Sequence, residues 1–268
     1  MTKIHYAFQA CDTKSNQGEK RYCGDDRTLL SMKSLTSLLL SIKAVTESKA
    51  GKNSEHHLMI FADNCSDEYI DYMYKCINHF SSNKIKIDLE INSGEGGLMK
   101  TVRKCWEWLE TNGEDIVYQI QDDYIFFESA IEEMVTVIFQ VMSDCKGHQP
   151  IVIPYNNPYF WLETYRYMSV PMTMFPSKNR YWFQAYDTPC TFMTTKPQFS
   201  LHWDIYEKFL DMSSTHPRLE PDTLNRIFVD RKVLGVQPVT SVALHMQAET
   251  EKDPFIDWKS LWDSITLL

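Results

Sequence analysis

The chain has 268 residues, 43% of them hydrophobic and 24% charged, which supplies one large core or two coupled ones and excludes disorder. A formal net charge of −9 excludes broad, sequence-independent nucleic-acid binding, which needs Lys and Arg surfaces. Seven cysteines, odd in number and without a Cys-x-x-Cys pair, argue against a disulfide framework or zinc ribbon and fit a reducing compartment.

The first half alternates two periods. "KIHYAFQA" (Lys3 to Ala10) reads as a strand ending at polar Cys11-Asp12, followed by a polar, glycine-containing loop. Leu29, Met32, Leu35, Leu38, Leu39, Ile42 and Val45 then recur at helical spacing. "HLMIFA" is a short buried strand, and Ser66 in "DNCSDE" is placed to cap a helix carrying Ile70, Met73 and Ile77. "KIKIDLEI" alternates strictly, as a strand does. "NSGEGG" opens a helix with Leu98, Val102, Cys105, Trp106 and Leu109 on one face. "DIVYQI" is a fourth strand that runs into Asp122-Asp123, and a helix from about Glu128 to Asp144 follows.

The second half is less regular. "PIVIPY" and "CTFMTT" read as strands, the segment from Tyr155 to Tyr186 as short strands and loops, and Gln198 to Leu210 and Asp222 to Val229 as helices. "VQPVTSVALHMQ" is a late strand reaching His245, and Phe255, Trp258, Leu261, Trp262 and Ile265 mark a closing amphipathic helix. The N-terminus lacks a signal peptide's apolar run, and no stretch approaches the roughly 18 apolar residues of a membrane span. A soluble, cytoplasmic protein without a transmembrane segment is expected.

Strand–helix repeated four times predicts an α/β fold: a mostly parallel sheet with helices on both faces, and ligands at the carboxyl ends of the strands. Asp122 and Asp123 lie at such an end. Two adjacent carboxylates repel unless protons or a cation compensate, and Mg²⁺ or Mn²⁺ is the usual remedy. A plain capping turn accounts for an isolated Asp-Asp equally well. Asp63 follows the second strand and can accept from the imide N–H of uracil or a ribose hydroxyl; Asp63, Asn64 and Ser66 are also ordinary turn residues. Gly94, Gly96 and Gly97 precede a helix, where backbone can approach a phosphate, but they form neither a Gly-x-Gly-x-x-Gly nor a Walker loop. Arg27, Lys100 and Arg103 are cations near these loops.

These features together resemble the GT-A glycosyltransferases, chiefly the inverting family-2-like group, over about Lys3 to Phe127. The residues that carry the likeness are Asp63-Asn64-Cys65-Ser66-Asp67 after the second strand, the glycine turn, and Gln121-Asp122-Asp123 in place of an Asp-x-Asp or Glu-Asp-Asp element. The resemblance implies a GT-A sheet with a smaller mixed acceptor-side region. Residues 1–127 would form the nucleotide-sugar half, and residues 128–268 the acceptor and catalytic half of the same domain. It implies a metal-dependent transfer from a UDP- or GDP-sugar to a glycan, lipid or protein hydroxyl, with inversion. Donor contacts would come from Ala10 and Asp12 in the loop after the first strand, Arg27, Asp63, Gly96, Gly97, Gln121 and Asp122. Asp123 and His245 would bind Mn²⁺ or Mg²⁺. In "RLEPDTLNRIF", Glu220 is the favoured general base and Asp222 the alternative, although Pro221 interrupts the Glu-Asp element of the group. Trp161 and Trp182 could stack on the acceptor sugar, or simply belong to the core. The transferase reading requires the two carboxyl groups to face a cleft and not be locked to Lys or Arg. Its competitors are a sugar-phosphate nucleotidyltransferase and an inactive nucleotide-sugar-binding module.

Overall fold

The computed structural model describes residues 1–13, 21–49, 51–92, 97–156, 173–187, 191–248 and 252–268. Four strands form its first half: β1 (Thr2–Ala10), β2 (Ser54–Asp63), β3 (Ile85–Asn92) and β4 (Ile116–Gln121). They lie parallel in the order β3-β2-β1-β4, and the pairing of β1 with β2 runs from Thr2↔Ser54 to Ala10↔Ala62. The carboxyl ends of β1, β2 and β4 therefore reach one rim. β1 is buried without interruption from Ile4 to Ala10, as a strand covered on both faces must be. Its neighbouring side chains diverge: Tyr6 and Phe8 enter one core, Ala7 the other.

The helices α1 (Arg27–Glu47), α2 (Asp67–Phe80) and α4 (Ala130–Asp144) cover the Tyr6 face. The opposite face is packed by α3 (Gly97–Asn112), α5 (Lys196–Leu201), α6 (Trp203–Asp211) and α8 (Asn225–Val229). At its centre the fully buried Trp106 meets Tyr206 and Phe209, each at a 5.1 Å ring separation. α1 has the length and apolar composition of a membrane span, which its Ser and Thr residues hide from a simple count. Most of it is buried inside the protein, so its apolarity is that of a core helix.

Beyond β4 the sheet becomes mixed. β9 (Phe192–Thr195) runs antiparallel to β4, and β6 (Ile151–Val152), β10 (Gly235–Pro238), β8 (Arg180–Ala185) and β7 (Met174–Ser177) complete nine strands among the described residues. This is the expected α/β fold: a parallel four-stranded half that passes into a smaller mixed region. Trp182 belongs to β8, fully buried in the Tyr6-face core, so it is out of reach of an acceptor sugar.

Three expected elements are broken. The helix over 198–210 divides at His202 into α5 and α6. The helix from Asp222 becomes α7 (Leu219–Asp222) and α8, separated at Thr223, whose φ −129° and ψ −95° are not helical. The late strand ends at Pro238 and resumes as β11 (Ala243–His245), since proline has no N–H for the ladder. β11 pairs with β5 (Tyr124–Phe126), directly after the acid pair, in the register His245↔Tyr124. A third, small core lies behind this strand pair: Leu30, Ile125, Leu244 and Met246 pack with Ile265, next to α9 (Trp258–Ser264).

Candidate active site

An open cleft of about 1670 Å³, its solvent mouth included, lies over the carboxyl ends of β1, β2 and β4. Its β-sheet wall carries Gln9, Asp63, Gln121, Asp122, Asp123 and His245. The loops between are fixed by buried hydrogen bonds. Asp12, 5% exposed, accepts from Ser66 N at 2.8 Å, from the Ser66 hydroxyl and from Thr28 Oγ1 at 2.8 Å. It thus ties the starts of α1 and α2 to the end of β1. Its carboxylate serves the fold, and neither Asp12 nor the fully buried Ala10 lines the cleft.

At the end of β2, Asp63 is 6% exposed. Oδ2 accepts from Thr101 Oγ1 of α3 at 2.8 Å, and Oδ1 is buried with no partner among the described residues. Asn64 follows with φ 55°, a left-handed backbone that Asn tolerates, and its amide donates to Thr13 Oγ1 at 3.0 Å. Gly97 lines the cleft with φ 65°. Gly96 and Trp161 lie outside the described residues.

The two acids after β4 have different surroundings. Both oxygens of Asp122 are engaged by the protein. Oδ1 is ion-paired with the Arg27 guanidinium, and Oδ2 accepts from Cys11 N and Ser31 Oγ at 2.8 Å each. Burial pushes its carboxyl upward, and Arg27 and the two hydrogen bonds pull against that. For Arg27, burial lowers the pKa, but Asp122 and Asp123 outweigh it and raise the guanidinium above its ordinary value, so the pair is ionic. Asp122 is therefore locked to an arginine and does not meet the requirement set for both carboxyl groups, which leaves Asp123 alone to meet it; a direct contact of Asp122 with a donor or a metal would have to break that pair.

Asp123 is held more loosely. Oδ2 lies 3.6 Å from His245 Nε2 and 3.5 Å from Arg21 Nη1, and Oδ1 is buried without a partner among the described residues. Burial acts upward on this carboxyl too, but His245, Arg27 and Arg21 outweigh it and hold it far below the usual range. The antiparallel pairing of β5 with β11 brings His245 here, with its ring stacked on Tyr124 at 4.6 Å. Tyr22 Oη donates to His245 O at 3.1 Å, and Arg21 Nη1 to Met246 O at 3.1 Å.

Glu220 of α7 lines the opposite wall with Phe209, Ser214 and Leu219. Asp222 does not line it. It pairs with Arg218 at 2.9 Å on the surface, and that bond draws its carboxyl below the ordinary range. Gln9, Cys11, Thr13, Arg21 and Thr101 were not anticipated as site residues. Gln9 had a signal, as a polar residue at the end of an apolar strand; Arg21 had none.

No family model and no curated protein matches the chain. Among solved structures it is similar to S. aureus TarS at 13% identity and a TM-score of 0.43, covering 75% of this chain and 30% of that one. It is also similar to an apo UDP-glucose pyrophosphorylase (8% identity, TM-score 0.47, 92% and 93% covered) and to an inositol-1-phosphate CTP transferase from T. maritima (14%, 0.41, 99% and 96%). The chain spans less than a third of the length of TarS, and the assignment of fold rests on the strand order rather than on these likenesses.

Proposed function

We propose that the chain is a glycosyltransferase that moves a sugar from a nucleoside-diphosphate donor to an acceptor hydroxyl. One observation carries this reading. Four buried polar groups in the cleft, Gln9 Oε1, Asp63 Oδ1, Arg27 Nη1 and Asp123 Oδ1, have no partner among the described residues. Buried polar atoms are ordinarily satisfied, so three acceptors and one cationic donor on side chains that line one space favour a polar ligand there.

The assignment follows the chemistry of each group. Asp63 Oδ1 accepts from a base imide or a ribose hydroxyl. Arg27 and Arg21 face the diphosphate. Asp123 and His245 would hold Mn²⁺ or Mg²⁺, which commonly take one or two protein ligands and complete their shells with phosphate and water. The unsatisfied Oδ1 of Asp123 and the neighbouring imidazole fit that role. Such a cation neutralises charge on a leaving diphosphate. Among the described residues of the cleft, Asp63, Asp122, Asp123 and Glu220 outnumber Arg21 and Arg27 before any phosphate enters, which favours a cation. Glu220, facing the sheet wall, takes the proton of the acceptor hydroxyl as it attacks the anomeric carbon. Inversion is the outcome for the group that the sequence resembles.

A thermal-shift screen of UDP- and GDP-sugars with and without Mn²⁺ identifies the donor, because a ligand specific for the native state raises Tm. With that donor, Glu220→Gln lowers kcat about 10²- to 10⁴-fold and leaves donor KM unchanged. Asp123→Ala loses metal-dependent donor binding while staying folded. Normal turnover in either variant rejects its role. The cations that follow β1, Arg21 and Arg27, also favour a second reading, a sugar-phosphate nucleotidyltransferase. Pyrophosphate released from a nucleoside triphosphate and a sugar phosphate would decide for it.

A further inference from the structure

We propose that the two adjacent acids divide their roles: Asp122 is a positioning residue that aims Arg27 at the donor's diphosphate, and Asp123 alone of the pair faces the cation. This rests on the nucleotide-sugar reading of the cleft; the resemblance already implies Asp123 as a metal ligand, and what is new is the role of Asp122 toward Arg27.

The geometry around Arg27 is that of a held guanidinium with one nitrogen unpartnered among the described residues. Nε donates to Cys11 O at 3.1 Å, and Nη2 pairs with Asp122 Oδ1. Nη1 is buried, has no partner among the described residues, and belongs to a side chain that lines the cleft. A guanidinium presents five N–H donors in a rigid fork. Fixing Nε and Nη2 therefore fixes the direction in which Nη1 donates. Asp122 is fixed in turn by Ser31 Oγ of α1 and by Cys11 N. Cys11 closes a cycle, with its N–H on the carboxylate and its carbonyl on the guanidinium. The side chain of Arg27 is only 14% exposed, so most of its hydration is already stripped. A phosphate oxygen is the acceptor that best restores it. Asp122 has no oxygen left over for such a task, while Asp123 has Oδ1.

The test separates phosphate affinity from cation affinity. The probes are UDP and GDP with the matching nucleosides, and Mn²⁺ alone, all by calorimetry. Arg27→Met leaves a buried carboxylate unpaired and can unfold the loop, so the principal variant is the neutral double replacement D122N/R27M. Asp122→Asn alone keeps an acceptor for Cys11 N and Ser31 but removes the charge that holds Arg27. Both variants are expected to bind the nucleoside diphosphate about 10- to 100-fold more weakly, the loss of one charge-assisted hydrogen bond. Nucleoside affinity and Mn²⁺ affinity stay at the wild-type value. Wild-type nucleoside-diphosphate affinity in D122N/R27M overturns the role of Arg27. Loss of Mn²⁺ binding in Asp122→Asn overturns the division of roles, because Asp122 is then a ligand. If the unaltered protein binds neither diphosphate with Mn²⁺ present, the nucleotide-sugar reading itself fails, a result distinct from both.

Discussion

Two histidines at the end of the sheet opposite the cleft make stability fall steeply in mild acid. His5 of β1 and His56 of β2 are 6% and 2% exposed. His56 is enclosed between Tyr6 Oη and Ser54 Oγ, each 2.7 Å from a ring nitrogen. His5 lies 5.5 Å from the His57 ring, and its Nδ1 has no partner among the described residues. Burial, joined by His57 at His5 and by Lys84 at His56, pushes both down from the ordinary 6.5 to about 4. Because the folded pKa is the lower one, the unfolded chain binds the proton first. The stabilisation is complete above pH 6.5 and is lost as pH falls from there towards 4. A tenfold difference in proton affinity between the folded and unfolded chain is worth about 1.36 kcal/mol, so each histidine accounts for at most about 3 kcal/mol, against a typical total of about 5–15. Between the two limits each adds up to about 1.4 kcal/mol per pH unit to the slope. His202, pushed down by burial and by Arg231, acts in the same direction. Asp123, held low, begins to matter only below this window. The assay is urea unfolding followed by circular dichroism between pH 7 and 4.5. His5→Leu removes one of these groups and an unsatisfied nitrogen, so it should be no less stable at pH 7 and should lose up to half of the slope. A flat profile in the unaltered protein, or equal slopes in the two, refutes the reasoning.

Trp106→Ala empties the centre of the α3-side core and should cost about 3–5 kcal/mol, read from the urea midpoint. Lys33 Nζ donates to the carbonyls of Trp262 and Ile265 at 2.7 Å each, over the Trp262 ring. Lys33→Met should cost about 1–3 kcal/mol and speed hydrogen exchange in 252–268, while the amides of β1 and β2 stay protected.

The first half of the fold was legible because its elements are long enough to show a period. "KIKIDLEI" alternates and is β3; Ser66 was placed to cap α2, and its Oγ accepts from Tyr69 N at 3.3 Å. β5 and β11 have three residues each, too few for a period, and only their pairing brings His245 beside Asp123. Arg21 comes eleven positions after the end of β1 and lines the cleft, which no spacing encodes. Trp182 exposes the limit for aromatics. A ring that packs in a core and one that stacks on a sugar have the same local chemistry, and burial alone decides between them.

The acid pair shows the same limit at the scale of two residues. Asp122 and Asp123 form the turn between β4 and β5, so their surroundings are set by tertiary contacts rather than by strand alternation. Gln121, Asp122 and Asp123 all line the cleft, but both oxygens of Asp122 are taken up by Arg27, Ser31 and Cys11, while Asp123 keeps an unpartnered Oδ1 among the described residues. An Asp-x-Asp element would place two carboxylates where this chain has Gln121 and Asp123. Gln121→Asp should therefore raise Mn²⁺ affinity without nucleotide present, by about tenfold for about 1.4 kcal/mol of added attraction. The side chain of Gln121 is partly exposed, and its main-chain N–H, bonded to Thr191 Oγ1 at 3.2 Å, is untouched by the change, so the fold should tolerate it. Calorimetric or paramagnetic Mn²⁺ titration reads the effect. Asp123→Asn in the same background should abolish the gain, since one carboxylate without its partner gives no shared cage. An unchanged Mn²⁺ constant in Gln121→Asp means that positions 121 and 123 do not face a common cation. The acids at this rim then act on Arg21 and Arg27 alone.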